Sequence, residues 1–146
     1  MMEMFTNIVA AEEDEYDAIG DSLAPLDEWS GIEALGFDTN KVATLHCLLT
    51  GDPLQMALDL YEPVYVSEDE TTVLRIPPEL LEKLAALDDD ALENVASELA
   101  ASEEFEADET DPEDLLGQLS ELCQLAQLAE SQGQCLFVWL YPIRGR

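Results

Sequence analysis

Positive charge is nearly missing from this chain. Lysine and arginine together number five, against 34 aspartates and glutamates, and the formal net charge is −29. A chain with so little positive charge has almost nothing to lay along a phosphate backbone or an anionic lipid surface. Direct nucleic-acid binding and membrane binding are therefore not expected. Cysteine is scarce as well. Cys47, Cys123 and Cys135 are odd in number, sit in apolar contexts and show neither a Cys-x-x-Cys pair nor a zinc spacing. Their plain reading is buried free thiols in a reducing compartment. No apolar run is long enough to span a membrane, and the first residues lack the pattern of a secretory signal, so the expected location is cytoplasmic. Phosphate loop, dinucleotide fingerprint, serine elbow and linear metal-ligand cluster are all missing. Catalytic residues, metal ligands and a cofactor are accordingly not expected.

What is present reads as one domain over residues 1–146, with an ordinary apolar share of 47%. The organising stretch runs from Asp111 to Tyr141. Asp111 can cap a helix, Pro112 fits its first position, and Glu113 and Asp114 face the positive end of its dipole. Leu115, Leu119, Leu122, Ala126 and Ala129 form its apolar stripe, and Gly133 stops it. The helix should be about 30 Å long at 1.5 Å per residue. Cys135 to Tyr141 then runs without a polar interruption, which predicts a strand buried on both faces, with Pro142 ending it.

Elsewhere the spacing predicts a strand over Met4 to Ala10 and a short helix through Tyr16 and Ile19. Helices follow over Lys41 to Thr50, from Asp52-Pro53 to Tyr61, from Pro77-Pro78 to Leu87, and after Asp88-Asp89-Asp90. Val64 to Val66 and Thr72 to Ile76 read as a hairpin. Residues 20–38 are the least readable, with short helical turns at most, and Glu103 to Glu109 reads as an acidic connector around Phe105. The alternation is neither regular β-α-β nor all-helical. The fold class is α+β, with several helices on a small mixed sheet and a long C-terminal helix followed by a buried strand.

Three blocks resemble the YfbM-like family, a bacterial domain of unknown function. Lys41-Val42-Ala43-Thr44-Leu45-His46-Cys47-Leu48-Leu49-Thr50-Gly51 resembles the family's helix ending in Leu-His-x-Leu-Leu-Thr-Gly. Val73 to Glu79 is similar to its strand entering a proline-started helix, and Leu84 to Leu87 follows ahead of the next helix. The third block is the end of the closing helix, with Ala129 and Gly133, and the apolar strand beyond it. The resemblance covers about residues 41–141 and implies an α+β fold without an established activity. The chain departs at Val42 and Ala43, where the family often carries an aromatic and a second histidine.

His46 is the sole histidine and lies beside the apolar face of Val42, Leu45 and Leu49. With Thr50 and Asp52 it is the candidate for a small-ligand site or a general base. The competing reading is a buried, hydrogen-bonded histidine that fixes its helix to a neighbour. Glu12, Glu13, Asp14, Glu15, Glu103 and Glu104 are the candidates for an acidic interface, each also readable as a solvated surface. Asp88 to Asp90 reads as a helix start, because an EF-hand would need a glycine and a closing glutamate at set positions. Trp29, Trp139 and Tyr141 read as core or interface residues. The leading expectation is a non-catalytic interaction protein whose acidic face meets a basic protein, as an immunity-type inhibitor or a nucleic-acid mimic would. The alternatives are a small ligand binder or enzyme centred on His46, and charge that only adapts the chain to a salty cytoplasm.

Overall fold

The computed structural model describes residues 3–22, 24–33, 39–68, 70–106 and 111–143; the side chains at 3–5, 39, 40, 104, 142 and 143 lie outside that description. In chain order the elements are β1 (Glu3–Ala11), α1 (Tyr16–Asp21), α2 (Pro25–Glu28), β2 (Ser30–Glu33), α3 (Thr39–Thr50), α4 (Leu54–Leu60), β3 (Tyr65–Val66), β4 (Thr72–Arg75), α5 (Pro78–Ala85), α6 (Asp89–Ala100), α7 (Glu103–Glu106), α8 (Pro112–Gln132) and β5 (Cys135–Ile143). The fold is α+β, as expected.

The strands lie in the order β2-β1-β5-β4-β3. Every described pairing is antiparallel, which corrects the expectation of a mixed sheet. The cause is the absence of a β-α-β crossover between neighbours. A tight hairpin joins β3 to β4, and β5 slots between β1 and β4 running against both. The β1–β5 ladder extends from Glu3 opposite Ile143 to Ala11 opposite Cys135. β5 also continues past its expected end, through Pro142 to Ile143. The proline is tolerated because the β4 ladder has already ended at Leu140, so only β1 runs beside it.

The lack of alternation in β5 follows from cover on both faces. Leu136, Val138 and Leu140 join Ile8, Ala10 and Leu74 in one core, against apolar residues of α3, α5, α6 and α8. Phe137 and Trp139 join Val9, Ala11 and Val73 on the opposite face, where Ile19 of α1 closes a smaller cluster. Trp29, Tyr65, Cys135 and Tyr141 edge that second cluster. Both indoles are satisfied: Trp139 Nε1 donates to the Ser22 carbonyl at 3.1 Å and Trp29 Nε1 to Glu15 Oε2 at 3.0 Å. These tryptophans serve packing, in line with their sequence reading.

α8 forms as its residues dictate. Asp111 accepts the Glu113 N–H at 2.9 Å, Pro112 occupies the first turn, and Gly133 ends the helix in the left-handed region at φ 67°. The stripe Leu115, Leu119, Leu122, Ala126 and Ala129 is buried throughout, joined by Cys123 and Leu125. Burial pushes the Cys123 thiol up to about 11, so it stays protonated and packs as an apolar group. The acidic connector proves partly helical. α7 buries Phe105, and the Lys41 ammonium lies 5.2 Å from that ring. The rest of the expected connector, residues 107–109, falls outside the described residues, as do residues 34–38.

Candidate functional site

α3 ends at Thr50, and Gly51 adopts φ 83°, a conformation that glycine enters without strain. The turn folds Asp52 back over the helix it has just left. The Thr50 hydroxyl donates to the His46 carbonyl at 2.8 Å and accepts the Asp52 N–H at 3.2 Å. His46 is fully buried, and its Nε2 faces Asp52 Oδ2 at 2.9 Å. At the far end of α4, the Tyr61 hydroxyl lies 3.2 Å from His46 Nδ1, and the two rings meet edge to face. His46 therefore ties the end of α3 to both ends of α4. The three candidates His46, Thr50 and Asp52 come together in one network, with Tyr61 as a partner that the sequence reading placed only at the end of its helix.

Burial, with the Cys47 thiol adding to it, holds the Tyr61 phenol well above its ordinary range, so it stays neutral. A neutral imidazole that accepts the Tyr61 O–H at Nδ1 carries its own hydrogen on Nε2 and donates it to Asp52. Asp52 and Thr50 are half-buried, whereas His46 and Tyr61 are buried. One further residue arrives that spacing did not suggest. Glu79, in the first turn of α5, can bring a carboxylate oxygen within 4.8 Å of ligand atoms on His46 and Asp52. Its sequence signal, Pro77-Pro78-Glu79, marks a helix start and nothing about what lies across from it.

The acidic candidates divide. Glu12, Glu13 and Asp14 are exposed in the turn before α1. Glu15 is spent internally: its carboxylate accepts the Glu12 N–H at 2.9 Å as well as the Trp29 indole. Glu13 pairs with Arg75 at 3.2 Å. Asp21 accepts the Tyr65 hydroxyl at 2.7 Å. That hydrogen bond raises the Tyr65 phenol above its ordinary value, as do slight burial and the charges of Asp21, Asp17 and Glu68. Asp17 and Asp21 of α1 and Glu68 of the β3–β4 hairpin thus all act on Tyr65, beside a groove of about 390 Å³ lined by Gly20, Asp21, Tyr65, Ser67 and Glu68. Glu103 is exposed on α7, which packs with α3 and α6 on the opposite layer, away from α1. The Glu104 side chain lies outside the described residues. Asp88 serves as a cap, accepting the Ala91 N–H at 2.8 Å.

No helix of the described residues is long and apolar enough to cross a membrane. No family model matches the chain, and no curated protein matches it. Among solved structures the chain is similar to YfbM from Escherichia coli, whose structure is described as that of a protein of unknown function. The identity is 15%, the match covers 93% of this chain and 99% of that one, and the TM-score is 0.46.

Proposed function

We propose that this chain is a non-catalytic acidic interaction protein of the cytoplasm, which receives a basic protein partner on the face made by α1 and the β3–β4 hairpin. The observation that carries the reading is the meeting of Asp17, Asp21 and Glu68 around Tyr65, from segments far apart in sequence. Carboxylates gathered at one place focus a negative field and speed the approach of a cationic patch. Apolar contact surface adjoins them. Tyr16 packs tilted against Tyr65 with ring centres 6.5 Å apart, and Val64 and Val66 are exposed on and beside the edge strand. An inhibitor of the immunity type and a mimic of nucleic acid are the partner classes that this chemistry suits, since both set carboxylates where a basic protein expects phosphates.

The test separates this face from the rest of the charge. Partners are captured from lysate at low salt, and association is timed between about 0.01 M and 0.1 M salt, where the screening length falls from about 30 Å to about 10 Å. Asp17→Asn with Glu68→Gln should slow association several-fold at low salt and leave dissociation nearly unchanged. Glu93→Gln with Glu98→Gln, two exposed sites on α6, should do neither. Equal slowing by both pairs would favour diffuse charge and salt adaptation. Failure to recover any basic partner would count against the proposal outright.

A further inference from the structure

We infer that His46, Asp52 and Glu79 form a binding site for a divalent transition-metal ion of the zinc class. Their ligand atoms all lie within 4.8 Å of one another, and they come from three separate elements: the last turns of α3, the turn before α4 and the first turn of α5. An imidazole with two carboxylates is a donor set that suits zinc and its first-row neighbours. Donors around a tetrahedral ion, at bond lengths near 2.1 Å, stand about 3.4 Å apart. His46 Nε2 and Asp52 Oδ2 are now 2.9 Å apart, so the Asp52 carboxylate must back away by about half an ångström, while that of Glu79 closes in. The residues that must move are the ones with room to move. Asp52 is half-buried in a turn and Glu79 is exposed.

The histidine is already held in place. It is fully buried, and Tyr61 holds the ring nitrogen that would not face the ion, as an outer-shell partner does at built metal sites. A neutral imidazole carries one N–H; if the ion takes Nε2, that hydrogen moves to Nδ1 and the Tyr61 oxygen accepts it, while the phenol, no longer donating to Nδ1, turns its own hydrogen away from the ring. The dication would offset the mutual repulsion of Asp52 and Glu79. Three protein ligands leave a fourth position for water on the solvent side, the pattern of open sites. The imidazole also separates this site from the acidic surface, whose carboxylates alone suit harder ions such as magnesium and calcium. None of the three residues lies on α1 or the β3–β4 hairpin, so the inference stands apart from the proposed protein interface.

A single histidine in the chain makes the test direct, because the imidazole resonances can only be those of His46. The full chain, labelled with 15N, is titrated with Zn2+ in excess Mg2+, which occupies surface carboxylates. Expected are a saturable change in the His46 Nε2 resonance at one equivalent, transfer of the ring hydrogen to Nδ1, and a rise in Tm. Glu79→Gln, at an exposed position, should leave the metal-free Tm unchanged and weaken zinc roughly tenfold or more. Imidazole signals that stay fixed while zinc binds elsewhere, at thiols or surface carboxylates, would overturn the inference. So would a Glu79→Gln chain that binds zinc as the parent does.

Discussion

His46 holds a partner on each ring nitrogen, in directions set by a rigid ring that an amide side chain does not reproduce. His46→Gln should leave the Tyr61 hydroxyl or the Asp52 carboxylate short of a partner, at a cost of about 1–3 kcal/mol for the buried group. Chemical denaturation checks it: the midpoint should fall, while association with a basic partner stays unchanged. Binding lost at full stability would instead turn His46 into a contact residue. Legibility at this scale was partial, and distance in sequence decided it. Thr50 and Asp52 could be grouped with His46 because a helix end and a glycine turn are local geometry. Tyr61, fifteen residues from His46, read only as the end of a helix, without a named partner. Glu79 was invisible, because no periodicity says which helix start will face a given loop.

Among the elements, α8 and β5 are the parts whose local signals and tertiary roles agree. Leu119 is 1% exposed in the middle of the α8 stripe, within the main core. Leu119→Ala should destabilise by about 2–5 kcal/mol, a large share of an ordinary domain's stability of about 5–15 kcal/mol. Hydrogen exchange should find the amides of Leu115 to Leu128 among the slowest; fast exchange across them would contradict the placement of α8 at the centre of the helical layer. β2 shows the opposite case. Ser30-Gly31-Ile32-Glu33 has a single large apolar residue, and its strand character comes from lying beside Asn7 to Ala10 of β1. A propensity reading has nothing to work with there. The antiparallel direction of the sheet was equally out of reach, because direction depends on which strands become neighbours.

Over the whole molecule, the excess of carboxylates makes the folded state repel itself. Adding salt from about 0.01 M to 0.1 M should raise Tm, because screening weakens that repulsion more in the compact state than in the expanded chain. Calorimetry across that range is the check, and a flat or falling Tm would argue that the described ion pairs outweigh the repulsion. The amount of charge was legible from composition, but its partition was not. α1 and the β3–β4 hairpin bring their carboxylates to Tyr65 only through packing, and α7 goes to the opposite layer. The sheet order carries a consequence for how the chain is made. β5 is the last of the five strands to leave a ribosome and the middle one in the sheet, with β1 its partner from Glu3 opposite Ile143 onward. Until it emerges, β1 and β4 share no neighbour, and the apolar faces meant for it stay bare. Such long-range closure slows folding and lengthens exposure to aggregation. A nascent chain halted before Cys135 should therefore be open to protease and dependent on chaperones, then close in one late step once the central strand is released.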